Sequence, residues 1–178
     1  MGACSVKGWA ITGSRADAYA AERMAELYEG KHAARLWRSG EGADGFGALF
    51  QVFAPGIHRG KRARFSAVIR ARGVTGRAAL CFRVDGRTSE GARRSLAFDN
   101  MEARPAITGT TAWARESCVL EVAPEATALF VSALLVGAGE ISCADARIEI
   151  VDDTVPVTDM LAIHTVAPEP TNLDFSEI

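Results

Sequence analysis

GKRARFSAVIRARGVTGRAALCFRVDGR, residues 60–87, is the stretch whose reading decides the fold. Two runs of strand-like length and content, Arg62 to Ala71 and Arg77 to Val84, flank Gly73-Val74-Thr75-Gly76, and Asp85-Gly86 reads as the turn that closes the second. The same pattern continues outward to Val151. Arg94 to Phe98, Arg115 to Val122, Thr127 to Val136 and Glu140 to Val151 are strand-like, with Gly109-Thr110-Thr111, Pro124-Glu125 and Gly137-Ala138-Gly139 among the turns. Short strands at near-regular spacing predict an all-β chain, an antiparallel β-sandwich of the jelly-roll kind with little helix. Most cofactor folds are excluded by that reading alone.

Working back toward the N-terminus, Gly45-Phe46-Gly47 opens a further strand, Ala48 to Phe53, which Pro55-Gly56 ends. Ala18 to Tyr28 is rich in helix formers and is a helix on propensity. Glu29-Gly30-Lys31 then reads as a turn and His32 to Arg38 as an extended return strand, which would make Tyr19 to Arg38 a hairpin. Periodicity does not separate the two readings in so short a segment. Beyond Asp152, Pro156, Pro168 and Pro170 break the pattern. Residues 152–178 read as a tail that wraps the sandwich and ends in one more short strand.

The bulk numbers agree with one domain over residues 1–178. A chain of 178 residues buries about 70% of its unfolded surface, and 48% hydrophobic content excludes a disordered chain. With a net charge of −2 no nucleic-acid partner is expected, and the locally basic run Arg59 to Arg72 reads as a solvated outer face. The N-terminus lacks a hydrophobic signal core and no apolar run reaches membrane-spanning length. The expectation is a soluble cytoplasmic protein without a membrane partner, or a secreted one already relieved of its signal. Cys4, Cys81, Cys118 and Cys143 form no CxxC pair, which speaks against a zinc site, and Cys81, Cys118 and Cys143, inside predicted strands, are expected to be free thiols that pack as small apolar side chains.

Several segments carry a family resemblance. GKRARFSAVIRARGV (60–74), LAFDNM (96–101), ITGTTAW (107–113), VLEVAPEAT (119–127), LLVGAGEISCADARIEIVD (134–152) and PTNLDF (170–175) resemble a bacterial β-sandwich domain found alone or fused behind DNA-binding regulator domains. More loosely the chain is similar to galactose-binding-like jelly rolls and carbohydrate-binding modules. The resemblance implies that Gly8-Trp9 to Thr12 and Tyr19 to Met24 are strands, which favours the hairpin. In carbohydrate modules a segment like Asn172-Leu173-Asp174-Phe175 opens the domain, so here the tail would fill the place of a first strand. Such modules also hold a structural calcium, and Asp145 and Asp174 match positions near that site, with Ala144 where a second acid often stands.

No H-E-x-x-H, P-loop or dinucleotide fingerprint is present, and His32, His58 and His164 are scattered along the chain. The candidate ligand site is instead a polar set on one sheet face. Gln51, Arg83, Asp85, Asp99 and Asn100 are expected to converge there, with Trp37 and Trp113 as apolar platforms at the rim. Amides, carboxylates and guanidinium groups pair with sugar hydroxyls, and aromatic rings cover the apolar face of a sugar. Plainer readings stand beside each. Arg83 and Asp85 also suit a surface ion pair worth about 0–1 kcal/mol, Asp99-Asn100 suits turn chemistry, and the tryptophans suit core or edge plugs. The function expected is a non-catalytic module for a saccharide or another small ligand. The alternatives are a small enzyme, of cyclase or isomerase type, using Asp99 or Asp85 as acid on an apolar metabolite, and a sensor domain of a regulatory system.

Overall fold

The computed structural model describes residues 3–42 and 44–163. In chain order its strands are β1 (Ala10–Thr12), β2 (Tyr19–Tyr28), β3 (Lys31–Arg38), β4 (Phe46–Phe53), β5 (Lys61–Arg72), β6 (Val74–Arg87), β7 (Arg93–Asp99), β8 (Ile107–Gly109), β9 (Ala114–Val122), β10 (Ala128–Val136) and β11 (Glu140–Val151). Among the described residues one short α-helix, α1 (Met160–Ile163), follows them. A six-stranded sheet runs β1-β4-β10-β6-β7 with β8 beside β6, and a five-stranded sheet runs β2-β3-β11-β5-β9. Paired strands are antiparallel throughout. The expected all-β sandwich is the fold.

Alternation assigns the faces. On β6, Ala78, Leu80, Phe82 and Val84 are buried and belong to the core. On β5 the same is true of Ala63, Phe65, Ala67, Ile69 and Ala71. These rows face each other between the sheets, where the rings of Phe65 and Phe82 lie 6.4 Å apart. Leu36, Leu120, Leu129, Leu135 and Ile141 complete the fully buried layer. Removing each such side chain from water is worth about 1.5–3 kcal/mol, so the pattern of alternation is strongly held.

The opposite parity of β5 carries Arg62, Arg64 and Arg70, which pair with Glu121, Glu149 and Glu26 on the outer surface. The basic run of the sequence is thus distributed over ion pairs across neighbouring strands.

Residues 19–38 form the hairpin, not the helix that propensity favours. Tyr28 pairs with Lys31 across Glu29-Gly30. Both loop residues have positive φ, 48° and 76°, the mirror-image turn that matches strand twist in a two-residue hairpin. Tyr19 is completely buried and Ala18 and Ala21 pack into the core with it, so tertiary burial overrides helix propensity.

One turn is not where the sequence places it. Asp85-Gly86 does not close β6 but continues it to Arg87, with a register shift against β7 between Val84 and Asp85. Gly86 is held in the strand by its pairing with Arg94, and the Leu96 side chain lies directly against its backbone, where a Cβ would come within 2.7 Å of it. The reversal falls instead at Thr88 to Ala92, closed by the Thr88 N–H donating to Ala92 O and the Gly91 N–H to Thr88 O.

Residues 152–163 cross from one sheet to the other. Arg62 donates to the carbonyls of Asp153 and Val155, and the Thr158 N–H donates to Val119 O. Asp159 then accepts from the Phe98 N–H on β7. The final strand expected around Leu173 and Phe175 lies outside the described residues.

Candidate functional site

The outward face of the six-stranded sheet is recessed into a groove of about 780 Å³. Its floor is made by the parity opposite to that of Leu80, Phe82 and Val84. From β4 come Ala48, Phe50 and Val52, from β6 Cys81 and Arg83, and from β10 Phe130, Ser132 and Leu134. The registers Phe50↔Ser132↔Cys81 and Val52↔Phe130↔Arg83 place these residues in two adjacent rows across the sheet. Phe50 and Phe130 stack with centroids 5.3 Å apart and planes 17° apart, giving a nearly flat aromatic surface. The Arg83 guanidinium lies 4.6 Å above the Phe130 ring. Val52 is 54% exposed, a large apolar side chain left open to solvent at the edge of that surface.

Arg83 and Asp85 form a two-pronged ion pair within the groove. Arg83 Nε and Nη2 donate to the two carboxylate oxygens of Asp85 at 2.8 and 2.9 Å. Asp85 is 3% exposed and also accepts from Ser95 Oγ at 3.3 Å. Planar pairing of this kind fixes both groups in orientation. Asn100, just past the end of β7, lines the groove and is held by the Glu102 backbone N–H donating to its side-chain oxygen. The Cys81 thiol in the floor is pushed up to about 12 by burial, which keeps it a neutral packing group.

Of the polar set read from the sequence, Arg83, Asp85 and Asn100 come together, and Gln51 and Asp99 do not join them. Gln51 registers with Val131, and Val131 with Phe82, so all three point to the core side of the sheet. There Gln51 Nε2 donates to Gly8 O at 2.9 Å, tying the N-terminal segment to β4. Asp99 also registers with Phe82. It is 1% exposed and accepts from the Met101 N–H and from Arg104, which is the turn chemistry of an Asp at a strand end. The physical reason for the split is the two-residue period of a strand: odd and even positions cannot share a face.

Trp37 and Trp113 lie on the outward face of the other sheet, not at the rim of the groove. Arg35 stacks over Trp37 on β3, and Arg70 and Tyr28 pack on Trp113. The groove's aromatic surface is phenylalanine: Phe46, Phe50, Phe98 and Phe130. Those residues and the groove arginines Arg77, Arg87 and Arg93 were not singled out in the sequence. The available signal was the shared parity of Arg77, Cys81, Arg83 and Asp85 along β6.

Asp145 sits at a bulge in β11 with φ 49°. Its carboxylate pairs with Lys31 and Arg147, each at 2.7 Å, and with Arg115. The Lys31 ammonium first, then the two guanidinium groups, hold its carboxyl well below the usual carboxylate range. Three cations already contact these oxygens. Among the described residues no group of three or more His, Cys, Asp or Glu is arranged to hold a metal. The second residue expected at the calcium site, Asp174, lies outside the described residues.

No protein-family model matches the chain. It is 33% identical over 178 residues to the uncharacterized HTH-type transcriptional regulator YbfP of Bacillus subtilis, and spans 57% of that protein's length. Among the described residues the only helix of α type has four residues, too short for a helix-turn-helix. Among solved structures, the CBM22-1 xylan-binding domain of Paenibacillus barcinonensis Xyn10C superposes with a TM-score of 0.58 at 15% identity, covering 85% of this chain and 90% of that one. The CBM22-1-GH10 modules of Clostridium thermocellum xylanase 10B, in complex with xylohexaose, give 0.55 at 15% identity over 84% of this chain and 27% of that one. Among the described residues no helix is long and apolar enough to cross a membrane. With two antiparallel sheets and these superpositions, the chain has the β-sandwich fold of the carbohydrate-binding modules.

Proposed function

We propose that this chain is a non-catalytic saccharide-binding module whose ligand lies in the groove of the six-stranded sheet. The observation that carries the reading is the groove's composition: the stacked Phe50–Phe130 surface beside the Arg83–Asp85 pair and Asn100. A sugar ring presents an apolar face to an aromatic surface and hydroxyls to planar donors and acceptors. The xylan-binding domain of similar fold supports the ligand class.

The groove is poorly equipped for chemistry. Among the described residues its lining contains one carboxylate, Asp85, and both oxygens already accept from Arg83. Among the described residues no histidine lines it. The other acid considered from the sequence, Asp99, faces the core side of the sheet. A free acid or base within reach of a bound ligand is what a cyclase or isomerase would need.

The similarity to a transcriptional regulator favours a particular use of such a module. In a chain of that relative's length, saccharide occupancy would be reported to a DNA-binding part, and the module would act as a cytoplasmic ligand sensor. Titration calorimetry with a panel of neutral and acidic oligosaccharides tests the binding reading. Binding by the wild type that Phe130→Ala abolishes, with the melting temperature still showing a folded protein, is the expected result. Saccharide binding that survives Phe130→Ala unchanged would place the ligand elsewhere.

A further inference from the structure

The charge of the groove is unlike that of the chain. The whole sequence has a net charge of −2, yet among the described residues four arginines, Arg77, Arg83, Arg87 and Arg93, line the groove against one carboxylate, that of Asp85. Asp85 neutralises Arg83 alone. Among the described residues Arg77, Arg87 and Arg93 form no ion pair. The contrast with β5 is direct, where Arg62, Arg64 and Arg70 each face a glutamate.

Arg87 and Arg93 are register partners on β6 and β7. Like charges directly opposite each other across a strand pair are destabilising. Arg87 donates one hydrogen bond to Gly91 O, and both residues are exposed. Two guanidinium forks side by side, with donors to spare, form a receptor for an anion. Arg77 stands at the other end of the groove, ten residues from Arg87 on one strand and so about 33 Å away along it. A single carboxylated small molecule does not bridge that span. An extended oligosaccharide carrying several carboxylates does, with its sugar rings on the Phe50–Phe130 surface between them.

We infer that the groove's ligand is an anionic, uronate-bearing oligosaccharide, with carboxylates held by Arg87 and Arg93 at one end and by Arg77 at the other. This rests on the saccharide reading of the groove and narrows it. The same chemistry makes binding salt-sensitive, since exposed charge pairs are screened.

The test is calorimetry of the wild type and the Arg87→Gln/Arg93→Gln double variant with three probes: tetragalacturonate, galactotetraose and laurate. The wild type should bind tetragalacturonate at least about tenfold more tightly than galactotetraose, the scale of one charge-assisted hydrogen bond. The double variant should lose that preference while its melting temperature stays within a few degrees. Should the double variant fail to fold, the wild-type comparison of charged and neutral tetramers decides alone. Galactotetraose bound as tightly as tetragalacturonate, or more tightly, overturns the anionic assignment and leaves the saccharide reading standing. Laurate bound with neither sugar, or no probe bound, overturns both.

Discussion

Replacing Arg83 by Met tests whether the groove's ion pair is a built element or a surface ornament. The side chains of Arg83 and Asp85 are 19% and 5% exposed, and the pair is joined by two hydrogen bonds of 2.8 and 2.9 Å. Truncating Arg83 leaves a nearly buried carboxylate with Ser95 Oγ at 3.3 Å as its remaining side-chain partner. Breaking a fully buried pair costs about 3–5 kcal/mol. Partial exposure of the arginine reduces that here, so Arg83→Met should cost about 2–4 kcal/mol. Asp85→Asn should cost less, because the group left over is a guanidinium that reaches solvent and still rests on Phe130. The double variant should cost less than the sum of the singles, since no buried charge is stranded. Urea unfolding measures this directly. At a slope of about 2 kcal/mol/M, a loss of 3 kcal/mol lowers the midpoint by about 1.5 M. A cost below about 0.5 kcal/mol for Arg83→Met, or strict additivity, would show an exposed pair of the ordinary weak kind.

Three further outcomes follow from the packing. Gly47→Ala would set a Cβ 2.4 Å from Cγ of the fully buried Tyr19 ring; overpacking of this kind should cost about 1–3 kcal/mol, and an unchanged thermal midpoint would contradict it. Asp145→Asn should destabilise at neutral pH. Because the folded carboxyl titrates below its unfolded value, its contribution is present above about pH 4 and fades as pH falls toward the folded value. The difference between variant and wild type should therefore shrink in acid, and a constant difference from pH 7 to pH 3 would refute the ion-pair account. Burial pushes the Cys81 thiol up to about 12 and the Cys118 thiol well above its ordinary value. Both should resist Ellman's reagent at pH 8 until the protein unfolds, and rapid labelling of either in the native state would show the site is open.

The strand ladder was legible because alternation and turn residues are local properties. The Tyr19 to Arg38 hairpin was less so, since its deciding feature is the burial of Tyr19 and its neighbours against strands distant in sequence. Asp85-Gly86 reads as a turn from its residue types, and its pairing with Ser95 and Arg94 on β7, a contact between strands, keeps it extended. The candidate site was half legible. Alternation along β6 puts Arg83 and Asp85 on one face correctly, because parity within a strand needs no partner. Relating Gln51 or Asp99 to that face needs the register between strands, and register is written in pairings such as Gln51↔Val131 and Phe82↔Asp99. The aromatic platform escaped for a related reason. Phenylalanine on a strand reads as core, and nothing local distinguishes Phe130, on the groove floor, from Phe82, between the sheets. Trp37 and Trp113 stand out by residue type, yet which sheet a strand joins is settled by topology.

The most direct test of the central claim is a structure of the chain with a bound oligosaccharide. A sugar ring should lie over Phe50 and Phe130, with hydroxyl contacts to Arg83 and Asn100, on the outward face of the six-stranded sheet. A saccharide seated instead on Trp37 or Trp113, on the outward face of the five-stranded sheet, with the groove left without ligand, would contradict it.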